Sequence, residues 1–580
     1  MAQALTATDL PVRPARRPGL SPLAFAMIII LGALVIPPLV MLVRISLQAE
    51  FGTALHDAAG GGFTLDNYAG LFADKRFKEA VGNSLTFALL STLLPILLGG
   101  TAAWFAARTN AWLKWLPHFT TILSMGTPYI LYVAGWVFLF GRVGPVNDLW
   151  RTVMGGSDNL VNVFSMGGMV FIEGFLWSPL VFLMMYATFQ TANADMEEAA
   201  RVHGASTWDS LRYISLPLAW PAVAAMALFI FIRNIESFDV PVLIGIPGRI
   251  TLMTTDIFYA IQQTPPDMGH ASSFAVLLLG VVIVLMLFYS RISRHAGKYA
   301  TVTGKNFKPR PFDLEGKRWI GTAVFLAYFL IVLVLPLLAL AWMSLMPFLR
   351  PISMAAFKFM TFKHYLKIFN DASYIELARN TLIAGAGAAT VAMALAGVAG
   401  WLAARRKPGG LLVDQLTSAP LVFPGIVLGF ALMELSLNLP FTLYNTLTIL
   451  VIAFTIRYLP YGMRYAYSGV LQIHRELEEA AEVCGASSLE MLWRVIVPLL
   501  WPAFVSGWLF VFLLATRELS LPLILAGPRS QVIPVALYDL SANGQASELA
   551  AFGLLWTLAM MVCAGVLFIL LRRRSVGVFE

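Results

Sequence analysis

Two segments of this chain place a carboxylate, two alanines, a glycine and a proline in the same order. The first is Glu198-Ala199-Ala200, then Gly204, then Pro217. The second is Glu479-Ala480-Ala481, then Gly485, then Pro498, with the same Glu-to-Gly and Gly-to-Pro spacings. On a helix, residues four apart share a face, so Ala200 with Gly204 and Ala481 with Gly485 form a smooth patch that a partner can approach closely. Glycine then stops the helix. Ser487-x-x-Glu490 has the capping-box pattern and Ser206-x-x-Asp209 a near variant of it, so a second short helix should begin at each. The chemistry implied is docking: an acidic residue on a pair of short helices with a bend. One Glu-Ala-Ala is commonplace on a helix surface; two at equal spacing and equivalent places are not.

A second set of residues is ionisable and lies within apolar runs, where a charge costs about 2.5–3.5 kcal/mol at the bilayer centre on insertion scales. Glu434, Arg457, Arg517 and Glu518 stand out in the second half of the chain, and Arg233, Asn234, Glu236 and Asp239 in the first. They are the candidates for a solute path. The plainer alternative is that Arg517 and Glu518 pair at an interface and orient a loop. Tyr129 and Tyr132, beside Pro128, could line a cavity. Catalytic residues are not apparent. Cys484 and Cys563 form no CxxC pair, the seven histidines include no HExxH, and the metal ligands, if any, stay unknown. Gly297-Lys298, Gly304-Lys305 and Gly316-Lys317 lack the rest of a phosphate-binding loop.

The elements that must position these residues are membrane helices. Of the 580 residues 58% are hydrophobic and 12% charged, with mean hydropathy +0.75; a soluble domain carries about 25% charged residues. The apolar residues come in runs of about 20, the length that spans a bilayer as helix. Twelve spans are expected, near 21–43, 84–107, 117–140, 168–190, 217–235 and 273–291, then 319–346, 380–404, 413–438, 446–470, 499–517 and 549–571. The first run lacks a small-residue cleavage site, so it reads as a helix and not as a removed signal. Lys and Arg collect in alternate loops, with sharp edges at Arg405-Arg406-Lys407 and Arg572-Arg573-Arg574. That bias puts both termini on the cytoplasmic side. The net charge of +8 therefore belongs to the lipid bilayer setting and not to nucleic acid.

The chain divides into a cytoplasmic tail (1–20), a first six-helix half (21–291), a cytoplasmic linker (292–318) and a second six-helix half (319–580). The halves are an internal repeat. Ala102-Ala103-Trp104-Phe105-Ala106-Ala107-Arg108 recurs as Ala399-Gly400-Trp401-Leu402-Ala403-Ala404-Arg405, and Pro217-Leu218-Ala219-Trp220-Pro221-Ala222 as Pro498-Leu499-Leu500-Trp501-Pro502-Ala503. The offset shortens between these blocks, so the first half carries extra residues, placed at 141–167. An even number of spans per half makes the repeat parallel, about an axis along the membrane normal.

The paired Glu-Ala-Ala…Gly…Pro segments resemble the EAA loops of the permease subunits of binding-protein-dependent ABC importers, and the resemblance covers nearly the whole chain. It implies an all-α membrane protein of the type I ABC importer permease fold. It implies that Glu198, Ala199, Ala200, Gly204 and Pro217, with Glu479, Ala480, Ala481, Gly485 and Pro498, couple to two copies of an ATP-binding subunit. ATP and Mg would sit on those subunits, with no cofactor on this chain, which is not itself an enzyme. A separate periplasmic substrate-binding protein would deliver solute at the bacterial inner membrane. The fused form looks most like the ferric iron and thiamine importers, with polyamine and phosphonate systems as cousins. Ferric iron is the expected solute. Iron(III) favours oxygen ligands, although sequence alone assembles no Asp, Glu and Tyr cluster.

Rival classes fit less well. A secondary transporter of twelve spans needs no matched EAA loops and commonly nests its symmetry within each half. A membrane enzyme needs a clustered acid, base or metal site. A membrane sensor needs a sizeable soluble output domain, and no segment is long enough.

Overall fold

A computed structural model describes residues 21–48, 63–142, 144–191, 196, 199–200, 202–296 and 311–576. Among these residues the regular elements are helices, joined by loops and with two isolated bridges. The first half contains α1 (Pro22–Ser46), α2 (Lys75–Arg108), α3 (Trp115–Met125), α4 (Tyr129–Phe140), α5 (Met166–Thr191), α6 (Leu216–Ile235), α7 (Met253–Gln262) and α8 (Met268–Ala296). The second contains α9 (Glu315–Leu345), α10 (Ala372–Ala404), α11 (Gly410–Ser418), α12 (Gly425–Leu437), α13 (Leu447–Gln472), α14 (Arg475–Val483), α15 (Val497–Ala515), α16 (Ser520–Leu525), α17 (Ile533–Ala542) and α18 (Ala546–Val576).

Among the described residues ten helices are long and apolar enough to cross a membrane, or eleven if a bent pair counts as one span. Two features separate this from the expected twelve. The segment expected as one span at 413–438 is broken, and its two parts meet at 106°. The segment at 446–470 is a helix of 26 residues, but Arg457, Arg464 and several tyrosines make it less apolar than its neighbours. The first half has a matching break between α3 and α4. Pro128 and Pro424 cap the second piece of each split span with nearly the same backbone, φ −56°, ψ 140° and φ −55°, ψ 140°. Proline locks φ near this value and cannot donate into a preceding turn, so the helix restarts there.

The repeated alanine-rich blocks are packing faces. α2 lies along α5, and α10 along α13. Ala102, Ala103, Ala396 and Ala399 are fully buried. A Cβ on Gly99 would lie 2.6 Å from the Ser178 carbonyl oxygen, and one on Gly400 would lie 3.0 Å from the Tyr467 nitrogen. Small residues let membrane helices approach to this distance, where dispersion replaces the missing hydrophobic drive.

The two halves exchange their first helices. α1 packs on α11 and α12 of the second half, and α9 packs on α3 and α4 of the first. A Cβ on Gly135 in α4 would lie 2.9 Å from the Pro336 carbonyl oxygen in α9. The halves contiguous in sequence are thus interlocked in space. The extra residues expected at 141–167 include a helix, Pro145–Met154. Asn147 pins it, donating to the carbonyls of Phe140 (2.9 Å) and Val161 (2.9 Å) and accepting from the Val161 N–H.

Part of the linker lies outside the described residues. Its described end is docked: Phe312 exchanges backbone hydrogen bonds with Arg108 and Asn110, and Asp313 accepts from Asn110 Nδ2 (2.5 Å) and Arg318 Nη2 (3.0 Å). These bonds, led by the Glu315 backbone N–H, pull the Asp313 carboxyl down to about 2.

Candidate coupling loops and translocation cavity

The two docking segments have matching backbones. In the first, Glu198 and Arg201 lie outside the described residues, while Ala199, Ala200 and Gly204 lie within them. The Ala205 N–H donates to the Ala200 carbonyl (3.0 Å), and Gly204 has φ +84°. In the second, α14 ends the same way: the Ala486 N–H donates to the Ala481 carbonyl (3.0 Å), and Gly485 has φ +83°. A left-handed residue closing a six-to-one bond is the Schellman stop, and glycine adopts it without strain. Next, the Asp209 N–H donates to Ser206 Oγ (3.2 Å) while the Ser206 N–H donates to Asp209 Oδ2 (3.1 Å). Ser487 and Glu490 do likewise at 3.3 and 2.9 Å. Both are reciprocal capping boxes, so the shorter aspartate suffices as well as the glutamate.

A wide π turn follows each box, Leu211–Ser215 and Leu492–Ile496. Pro217 and Pro498 come directly after, in the first turn of α6 and α15. A proline ring crowds the carbonyl four residues earlier, and the wider turn relieves that contact. Each loop therefore feeds a span directly. Ala199, Glu479 and Ala480 face outward, and Val202 and Val483 are 85% and 89% exposed.

The glutamate that fixes the second loop is Glu478, which sequence reasoning passed over. It is buried, accepts from Arg405 Nε (2.6 Å) and Trp401 Nε1 (3.2 Å), and so ties α14 to the end of α10. Arg405 also donates to the Ile473 carbonyl (2.8 Å). The signal was present in Trp401 and Arg405, both members of the repeated block.

At the opposite ends of α6 and α15 the halves enclose a cavity of about 300 Å3. Tyr129 and Tyr132 of α4, Trp177 of α5, Tyr458 and Tyr461 of α13 and Phe510 of α15 supply its aromatic wall. A narrower space of about 60 Å3 adjoins it, sharing Tyr129, Trp177, Arg233, Arg457 and Glu518 as walls. Arg457, Arg517 and Glu518 all line the larger cavity, whereas Glu434 lines neither space. Arg233, Glu236 and Asp239 also join the cluster. Asn234 does not; it is buried and donates to Thr92 Oγ1 (3.2 Å) on α2.

The cluster is ionic and crosses between halves. Glu236 Oε2 lies 2.8 Å from Arg233 and 3.5 Å from Arg457. Arg457 also donates to the carbonyl of Phe423, in the break before α12, and so satisfies a backbone group that a continuous helix would have paired. Glu518 accepts from the Tyr458 hydroxyl (2.5 Å) and from Ser520. Arg517 lies 4.6 Å over the ring of Tyr129, a cation–π contact between halves. Glu173 was also missed. It is buried on α5, accepts from Trp177 Nε1 (2.9 Å) and lines the narrow space. Its signal was to be the lone carboxylate in the run 168–190. Among the described residues, no three His, Cys, Asp or Glu side chains converge tightly enough to hold a metal ion.

Known proteins resemble this chain throughout. The ferric transport system permease protein FbpB of Actinobacillus pleuropneumoniae is 23% identical over 488 residues, which are 83% of this chain and 70% of that one. The probable ABC transporter permease protein y4fN of Sinorhizobium fredii is 25% identical over 534 residues, 88% of this chain and 90% of that one. The spermidine/putrescine transport system permease protein PotB of Salmonella typhimurium is 28% identical over 239 residues, 41% of this chain and 81% of that one. The family described as binding-protein-dependent transport system inner membrane component matches twice, at residues 95–298 and 396–580. Each match contains one docking loop, one split-span break and one wall of the cavity, and the chain belongs to this family as a double-domain ABC importer permease.

Proposed function

We propose that this permease is driven by two ATP-binding subunits, one at each docking loop, and that it carries ferric iron from a periplasmic binding protein through the cavity between its halves. The observation that carries the drive is continuity. Each loop runs through a capping box and a π turn into α6 or α15, and the far ends of those helices carry Arg233 and Glu236, and Arg517 and Glu518. Moving the loops moves the cavity. The ATP-binding subunits act only by gripping the two loop arrangements with different strength. Both termini lie in the cytoplasm on this reading, and ATP hydrolysis belongs wholly to the partners.

Iron is favoured by relatives named for ferric transport and by the oxygen-rich cluster of carboxylates and tyrosines, the ligand type of a hard cation. The aromatic wall supports a second reading, an organic cation such as a polyamine or thiamine held by cation–π contacts. Purification with mild cross-linking, followed by metal analysis and mass spectrometry of the co-purified receptor, separates them. About one iron per receptor supports the ferric reading on the oxygen-donor argument; an organic cation without metal replaces it.

A further inference from the structure

The segment that joins α9 to α10 is basic and apolar at once. Between Met346 and Asn370 it carries Arg350, Lys358, Lys363 and Lys367 and no Asp or Glu. It ends in a short helix, Lys363–Asn370. From there α10 runs to the Trp401 and Arg405 end that holds Glu478 of the second docking loop. The segment therefore lies at the membrane face opposite the loops. It is fixed from beneath: the Tyr365 hydroxyl donates to Ser344 Oγ (2.8 Å), the Thr361 N–H donates to the Leu345 carbonyl (2.8 Å), and Ile368 is buried. What it turns outward is apolar. Phe362, Leu366 and Phe369 share one helix face and are 67%, 61% and 67% exposed.

Cations accompany that face. Arg350 lies over the rings of Phe348 and Phe359 (4.3 and 4.1 Å), and Lys358 and Lys363 are exposed. None of these three forms an ion pair among the described residues, whereas Lys367 meets Glu548 at 2.6 Å. The other half shows that the fold does not require this charge. There Tyr68 meets Ser46 Oγ at 2.7 Å in the same way, yet no Lys or Arg occurs between Arg44 and Lys75. We propose that the segment is an interfacial foot of the second half, which binds the headgroups of anionic phospholipids. A helix with Phe and Leu on one face and Lys beside them lies in the plane of the interface. Basic residues there attract anionic lipid, and their long stems stay among apolar groups while the charged ends reach the phosphates. Left open to water, such a face would be an aggregation site; the bilayer that α9 and α10 span is the cover at hand. The proposal rests on the importer reading only for the leaflet, which is then the periplasmic one.

The test uses the full chain with its ATP-binding subunits in nanodiscs of phosphatidylcholine holding a minor share of phosphatidylglycerol. Leu366→p-benzoylphenylalanine places a photoreactive group on the apolar face, and mass spectrometry identifies what it captures on illumination. Phosphatidylglycerol should be captured at least about fivefold above its share of the bilayer. Adding Arg350→Gln, Lys358→Gln and Lys363→Gln together should return capture to the bulk ratio while total lipid capture stays unchanged, which shows that the segment keeps its place. Arg350→Lys with Lys358→Arg and Lys363→Arg should preserve the enrichment. Lys75→Gln, at an exposed lysine of the same face paired with Glu79 at 3.5 Å, should leave it unaltered. Capture at the bulk ratio without the charge substitutions overturns the proposal. So does capture of added receptor or of a second copy of this chain in place of lipid, which makes the segment a protein contact. Uptake that proceeds without ATP while the enrichment holds removes the importer reading and leaves the lipid site standing.

Discussion

Arg457 of the second half reaches Glu236 of the first at 3.5 Å, and this ion pair joins the two halves beside the cavity. Both side chains are buried, so the pair is desolvated and removing one partner leaves a charge stranded. Such a loss typically costs about 3–5 kcal/mol.

Glu236→Gln should therefore loosen the contact between halves. The expected result is a lower melting temperature of the complex together with faster ATP hydrolysis in the absence of receptor, because the halves separate more easily. Arg457→Lys keeps the charge but loses the planar fork that also reaches the Phe423 carbonyl, and should give a milder form of the same change. Unaltered receptor-independent hydrolysis in both variants would remove the pair from the coupling path.

The stop glycines should tolerate no side chain. At φ +83° and +84° an L-residue pays about 1–2 kcal/mol of backbone strain, although nothing lies within 4 Å of a Cβ at either position. Gly485→Leu is expected to insert into the membrane normally and abolish uptake, since its bulk disturbs the docking face and not the fold. Membrane-fraction blotting alongside uptake checks this. Gly204→Leu should differ in severity, because His203 stands in the first loop where Cys484 stands in the second.

Glu478 should matter for a different reason from Glu479. Glu478→Ala strands Arg405 in a buried place, an effect of about 3–5 kcal/mol, so α14 should detach from α10. Hydrogen exchange across 475–483 should then quicken. Glu479→Ala, at an exposed position, should leave exchange unchanged while weakening capture of the ATP-binding subunit. Equal exchange in the two variants would contradict the distinction.

The Asp313 clasp gives a pH prediction. Its carboxyl is held at about 2 by the Glu315 N–H, Asn110 and Arg318. A depressed value means that the clasp is stabilised above the ordinary carboxylate pKa of about 3.9 and is lost as pH falls through about 2. Pepsin cleavage near Phe312 and Leu314 should stay slow at pH 4 and rise towards pH 2. Asp313→Asn should already be cleaved at pH 4. Identical profiles would show that the clasp does not depend on the charge.

Much of the architecture was legible because its signals are local. Spans follow from apolar length, the loops from glycine and proline at fixed spacing, and the repeat from the shared Trp and Arg blocks. Three things were not legible, each because it depends on distant contacts. The exchange of α1 and α9 leaves no mark in the sequence of either helix. The break at Pro424 resembles the tolerated prolines Pro179 and Pro460 inside α5 and α13, and only the following geometry separates them. Glu434 and Glu173 are both carboxylates deep in apolar runs, yet Glu173 lines the narrow space beside the cavity and Glu434 lines neither space; helix rotation decides that, and packing sets the rotation.

On the function proposed above, ATP-binding subunits drive this permease through its two loops. The direct measurement is uptake of iron from the loaded receptor into proteoliposomes holding the complete complex. Accumulation should require both ATP and receptor and disappear with Gly485→Leu. Accumulation that proceeds without ATP, follows an imposed proton gradient, or survives Gly485→Leu unchanged would contradict it.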